Sequence, residues 1–406
     1  MKHAAAVILA AGEGKRLKAS VPKVLRLVCG RPMIEYVLRA IQEAGVNDAA
    51  VVLGANEPIV KPALPKDIRT VLQPKVLGTA DAVWRTHRLF RDAHDLLVLC
   101  GDAPLITGAT IRQLLRVHRR SGAAVTLLSA HRHPPKDYGR VVRDASGLVI
   151  RIVEEKEASA AELGITEVNS GAYCFDREQL FKVLPQIRPS AKTGELYLTE
   201  VIQLLRRRGA RLEACLVADS DEILGVNHPH DLVLANRVLR QRVVDRLWNH
   251  GVMIADPSTT YIDEGVEIGS GTAIEPHTVI ETGVRIGMRC HVGPFCHVRG
   301  GTEIGDDVVL GSFVEVSQSR IGRGSRALHM TYLGNATVEE AVTIGAGTVA
   351  SHANGATARG ATIRRGASIG DGTVLVAPTV VGAGAVTEAG AVVGAPRSSA
   401  RRRVRA

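Results

Sequence analysis

The hydrophobic positions of this chain follow two rhythms, and the change falls near residue 250. Up to about residue 228, short apolar runs alternate with stretches of helical spacing. The run from Ala4 to Ala11 is continuously apolar, as in a strand buried on both faces. Pro32 then opens a helix that puts Met33, Ile34, Val37, Leu38 and Ile41 on one face, and Gly45 closes it. Further strands are expected at 49–53, 68–73, 96–100 and 124–130, with helices at 80–89 and 109–118. This alternation predicts a Rossmann-like, doubly wound parallel sheet. Gly12, Gln73 and Asp102 fall at the C-terminal ends of its strands, where such sheets bind ligands.

The pattern loosens after residue 130. A hairpin is expected at 138–142 and 148–153, a strand at 167–175, a helix ending at Gly209 and a strand at 211–218. These insertions form a lobe over the sheet edge. From Pro229 to Gly251 one amphipathic helix carries Leu232, Ala235, Val238, Leu239, Val243, Leu247 and Trp248 as its apolar stripe. The composition shift after it marks the helix as a connector.

Beyond Tyr261 the period becomes six. Pairs of an aliphatic residue and glycine begin at Ile268, Ile286, Val292, Ile304, Leu310, Ile321, Leu333, Ile344, Ile369, Val381 and Val393. This is the hexapeptide rhythm of a parallel β-helix, whose stacked coils bury one aliphatic side chain per face. It accounts for 41 glycines beside only 3% aromatic residues. The period breaks between Val349 and Ile363, where an inserted loop is expected to project from a coil. The expected domains are therefore 1–228, the connector 229–251, the β-helix 252–394 and a basic tail 395–406.

With 406 residues, 45% hydrophobic and 23% charged, the composition is that of a globular protein of two or three domains. No signal peptide or membrane-spanning run is evident, which points to a cytoplasmic protein. The six cysteines lack any CxxC spacing and are read as buried, reduced thiols. The net charge of +10 is partly a solvated tail of arginines. No nucleic-acid-binding module accompanies it, and the remaining basicity suits polyphosphate and sugar phosphate. The pairs His131/His133 and His228/His230 are read as surface or turn residues.

The first strand ends in Leu9-Ala10-Ala11-Gly12-Glu13-Gly14-Lys15-Arg16, followed by Pro22-Lys23. Gly12 and Gly14 are expected to turn the backbone so that its N–H groups face phosphate oxygens, with Arg16 and Lys23 adding positive charge. It is neither a Walker loop nor a dinucleotide fingerprint. The string, with Gln73, Gly78-Thr79, Gly101-Asp102-Ala103-Pro104, Tyr138-Gly139-Arg140, Glu154, Asn169-Ser170-Gly171, Tyr197-Leu198-Thr199 and Gly225-Val226-Asn227, resembles the sugar-nucleotide pyrophosphorylases. With the β-helix attached, nearly the whole chain resembles the bacterial bifunctional enzymes that make UDP-N-acetylglucosamine.

That resemblance implies roles by position. Leu9, Ala10, Ala11 and Gly12 would line the nucleotide site, and Arg16 and Lys23 would hold the triphosphate of UTP as catalytic residues. Gln73, Gly78 and Thr79 would recognise uracil. Gly139, Glu154 and Asn169 would contact an amino-sugar 1-phosphate, and Asp102 and Asn227 would hold Mg²⁺. It also implies a left-handed β-helix, a homotrimer, and acetyl-CoA as a second co-substrate. In the β-helix, His329 would be the acetyl-transfer base, with Arg299 and Tyr332 at the sugar phosphate and reacting centre. A purely structural, trimerising β-helix attached to a hexose 1-phosphate nucleotidyltransferase is the alternative. Several positions depart from the family pattern. Lys15 replaces Thr, Val76 replaces Gln and Asp81 replaces His. In the β-helix, Ser317 and Ala358 replace Lys, Thr343 replaces Asn, and His352-Ala353 replaces Asn-Tyr.

Overall fold

In the computed structural model, residues 3–12, 14, 17, 21–352 and 360–394 are described, Ser351 and His352 by their backbone alone. Arg16, Lys15, Ala353, Ala358 and the arginine tail lie outside the described residues. The chain divides into two compact units, Met1–Val238 and Leu239–Ala406. The division falls near the middle of the helix Pro229–Asn249, inside the expected connector.

The first unit is built on β1 (Ala4–Ala10). It pairs in parallel with β2 (Asp48–Leu53) on one side and β4 (Asp95–Cys100) on the other, and β3 (Arg69–Leu72) follows β2. Successive side chains of β1 point to opposite faces. Ala6, Ile8 and Ala10 pack with α1 (Met33–Glu43) and α3 (Gly108–Ser121), through Ile34, Val37 and Ile111 among others. Ala5 and Val7 pack on the other face with Val83 of α2 (Thr79–Trp84) and with Val201 and Leu205 of α4 (Glu200–Arg207). Both faces are covered, which is why the strand reads as an unbroken apolar run.

The sheet corrects the expectation of a purely parallel arrangement. Its order is β9-β5-β8-β4-β1-β2-β3, with β5 (Val125–His131), β8 (Glu167–Asp176) and β9 (Leu212–Leu216). The chain returns from the hairpin β6 (Gly139–Arg143) and β7 (Val149–Val153), so β8 enters antiparallel to both β4 and β5. Apolar periodicity carries no strand direction, so the sequence did not show this. The helix expected over 80–89 also stops early. Thr86 donates its hydroxyl to the Val83 carbonyl, and Phe90 adopts a left-handed backbone.

The second unit is a three-faced parallel prism, with sheets of 7, 8 and 7 strands. Equivalent positions lie 18 residues apart in the first coils, as from Tyr261 to Val279, 17 from Glu303 to Arg320 and on to Thr337, and 25 across the expected insertion. Val349 there pairs with Val374. Of the aliphatic positions that define the repeat, all but Val393 are buried. Trp248, expected on the apolar stripe of the connector, is 46% exposed. At one corner His277, Phe295 and Phe313 share a left-handed backbone and stack, with centroids 4.7 and 4.9 Å apart. Among the described residues no helix is long and apolar enough to cross a membrane. All six cysteines are free thiols, five of them buried.

Candidate active site

The C-terminal ends of β1, β2, β3 and β4 open on a cavity of about 660 Å³. Leu9, Ala10, Gly12, Gly14, Lys23, Val76 and Asp102 line it. Only one of the two glycines of the turn needs its conformation. Gly14 has φ +65° and an added Cβ would lie 2.7 Å from Cβ of Lys23, so glycine lets Lys23 approach. Gly12 has ordinary φ, and a Cβ there would meet nothing within 4 Å. Gly12 therefore keeps the cavity wall low, which corrects the expectation that both residues make the turn. Ala11 is buried beside Gly54 and does not line the cavity, while Ala10 accepts a hydrogen bond from Asn56.

Lys23 is the pivot. Its ammonium forms a close ion pair with Asp102 and donates to Asn227 Oδ1 at 2.8 Å. Two segments far apart in sequence thus aim a carboxylate oxygen and an amide oxygen at one cation. Backbone bonding fixes the arrangement: Val226 N–H donates to the Asp102 carbonyl, at 2.9 Å. Asp231, in the first turn of α5 (Pro229–Asn249), accepts from the N–H groups of Asn227 and His228. The Asp102 and Asn227 oxygens are hard donors that suit Mg²⁺, which takes few protein ligands and fills its shell with water and phosphate. No cluster of three or more His, Cys, Asp or Glu able to hold a metal occurs among the described residues. His131, His133 and His230 are exposed, as expected of surface positions.

A second cavity, of about 210 Å³, adjoins the first through Leu9, Asp102 and Asn227. Thr79, Gly139, Glu154 and Asn169 are in its wall. At Gly139 a Cβ would come within 3.1 Å of Ile152 and 3.7 Å of the Glu154 carboxylate, so glycine keeps this wall open. Asn169 sits where β8 bulges, between Asn169 and Tyr173, and donates to the Tyr173 hydroxyl at 2.7 Å. Glu154 accepts from the Thr199 hydroxyl at 2.9 Å. Burial, and the neighbouring Glu157, Glu195 and Glu200, push its pKa up, partly offset by Thr199. Cys100 is in the same wall, its pKa pushed up to about 12 by burial and by Asp102, so it stays a neutral thiol.

Gly78 has φ +125°, and its added Cβ would strike the Leu196 carbonyl at 2.4 Å. Thr79 accepts from the Leu198 N–H at 2.9 Å. These two residues clasp the 196–199 segment, which carries the partner of Glu154. Gln73 is 1% exposed and donates to the Gly78 carbonyl and to Asp81. Sequence reasoning gave no role to Thr199, Asp231, Cys100 or Glu195, which lines the larger cavity. Asp231 had a signal, an acidic residue in a first helical turn after proline. Cys100 had none.

In the prism, Arg299, Ser317 and Tyr332 share one face. His297, Glu315 and Tyr332 are in register on successive coils, as are Ser317 and Gly334. Arg299 is half-exposed and paired with Glu315 at 2.7 Å. His329 is exposed at the adjoining corner, its carbonyl accepting from Thr331 and from the Gly347 N–H. Thr343 lies in a different sheet, beside Arg326.

The nucleotidyl transferase family model matches residues 5–248, and the bacterial transferase hexapeptide model, of six repeats, matches residues 283–318. The "Bifunctional protein GlmU" of Pelotomaculum thermopropionicum is 40% identical over 385 residues, covering 86% of this chain and 84% of that protein. That of Shouchella clausii is 39% identical over 384 residues, 86% of this chain and 85% of the relative. That of Enterococcus faecalis is 35% identical over 384 residues, 86% and 84%. With both parts of the chain accounted for at this level of identity, it belongs to the nucleotidyl transferases and, among them, to the bifunctional GlmU family.

Proposed function

We propose that this protein is a cytoplasmic, Mg²⁺-dependent uridylyltransferase that joins UTP to N-acetylglucosamine 1-phosphate, giving UDP-N-acetylglucosamine and pyrophosphate. The observation that carries the reading is the convergence of Lys23, Asp102 and Asn227 where the two cavities meet. A phosphate oxygen of the sugar phosphate attacks the α-phosphorus of UTP. The bond from that phosphorus to the bridging oxygen breaks, and pyrophosphate departs with the electron pair. The attacking phosphate is already an anion near neutral pH, so no general base is needed. The difficulty is bringing two anions together.

Fixed positive charge meets that difficulty at no cost of reorganisation. Lys23, with Arg16 from the glycine-rich string of the sequence, holds the triphosphate. Asp102 and Asn227 hold Mg²⁺, which supplies charge neutralisation at the α-phosphate and the leaving group. Glu154 and Asn169 orient the sugar. The Thr199 hydroxyl and Asn169 amide suit an N-acetylated hexose, and the Glu154 carboxyl accepts from a sugar hydroxyl. The prism serves as a trimerising element, the role its corner stack and repeated face support.

Two assays on one sample test this. Pyrophosphate release is followed with UTP, Mg²⁺ and N-acetylglucosamine 1-phosphate, and thiol release with acetyl-CoA and glucosamine 1-phosphate. Pyrophosphate release is the expected result, and its absence overturns the reading. Thiol release would add acetyl transfer to the prism, through Arg299, His329 and Tyr332 despite Ser317 and Thr343.

A further inference from the structure

The departure at Asp81 has a definite consequence for the base. Asp81 is in the first turn of α2 and is 9% exposed. Its Oδ2 accepts from Gln73 Nε2 at 2.9 Å, and Arg85 Nε approaches its Oδ1 at 3.2 Å. The same Gln73 nitrogen donates to the Gly78 carbonyl at 3.0 Å. A carboxylate and a carbonyl only accept, so the amide nitrogen of Gln73 must face them, whichever way a side-chain amide is first drawn. Both its N–H bonds are then used. The Gln73 oxygen accepts no hydrogen bond among the described residues. The chain continues directly into Pro74, Lys75 and Val76, which line the larger cavity.

We propose that Asp81 is a positioning residue for base selection: with the Gly78 carbonyl it consumes both N–H bonds of Gln73, so that Gln73 presents only an acceptor and takes the N3–H of a uracil. Cytosine carries a lone pair at N3 and would meet the Gln73 oxygen without a proton between them. This deepens the uridylyl reading and rests on it. Asp81 lines neither cavity; Arg85 steadies its carboxylate. A buried group left facing the wrong partner is what makes polar readout selective.

The test compares kcat/KM for UTP and for CTP, with N-acetylglucosamine 1-phosphate and Mg²⁺, in the full-length protein, Asp81→Asn and Asp81→Ser. An asparagine or serine can donate as well as accept, so only the Gly78 carbonyl still demands the Gln73 amide nitrogen; held by one obligate bond instead of two, the amide can turn and offer N–H to cytosine. The expected result is a strong preference for UTP in the parent and a preference about tenfold weaker in both variants, with CTP turnover rising. The ratio is independent of the fraction of folded enzyme, so partial misfolding does not move it. An unchanged ratio in both variants overturns the proposal even if turnover falls. A parent protein that does not turn over UTP overturns the uridylyl reading itself, which the unchanged ratio would leave standing.

Discussion

The mouth of the sheet and the outer face of the prism carry charged side chains in opposite circumstances. At the sheet, Lys23, Asp102, Gln73 and Glu154 are each held by partners brought in from elsewhere in the chain: Asn227, Asp81 and Thr199. On the prism the partners come from the neighbouring coil. Arg285 pairs with Glu267 and Glu303 and Arg289 with Asp307 at equivalent positions, and Arg299 with Glu315 two residues out of register, all exposed or half-exposed. A twisted sheet with insertions encloses polar groups, so an ion pair there acts in low dielectric and fixes geometry. A regular coil lays its polar groups on an open face, where each pair contributes little. Chemistry collects where the chain departs from repetition.

The largest expected effect breaks this comparison at its strong end. Asp102→Ala should lower pyrophosphate release by about a thousandfold or more, since it leaves Lys23 without its carboxylate and removes an oxygen proposed to hold Mg²⁺. The β-sheet circular dichroism of the protein should be unchanged. Gly12→Ala is gentler. It meets no neighbour and keeps an allowed φ, but puts a methyl group into the cavity. KM for UTP should rise about tenfold with no change in melting temperature.

At the prism, Ile304→Ala should cost about 3 kcal/mol of stability, seen in a calorimetric transition, because the buried core of a stacked coil cannot collapse around the lost atoms. Its kcat for pyrophosphate release should remain within about twofold if the two units bear on different chemistry. The pH profile sharpens the comparison further. Glu154 has a raised pKa and accepts most strongly from the sugar when ionised. As pH falls through that raised value the charge-assisted acceptor is lost. KM for the sugar phosphate should therefore begin to rise at a higher pH than an ordinary glutamate would impose, and Glu154→Gln should remove that limb. The smallest effect is at Thr278, whose buried hydroxyl has no partner among the described residues. Thr278→Val should leave stability unchanged or raise it by about 1 kcal/mol, read from the melting transition.

Much of this was legible without coordinates, for physical reasons that differ between the two halves. The prism is a local code: one aliphatic side chain every six residues forces the coil, and positions such as Ile286 and Leu310 are buried as the period requires. The apolar run of β1 and the glycine-rich string after it likewise determined a buried strand ending in a turn that lines a cavity. Only the tertiary structure decided which distant residues share that mouth. Nothing near Lys23 in sequence announces Asn227, and nothing in the β8 run states that it lies antiparallel between β4 and β5. Asp81 was legible only as a departure from a pattern. Its hydrogen bond to Gln73, eight residues back, depends on how α2 is set against the end of β3, and a contact of that kind is made by packing rather than by propensity.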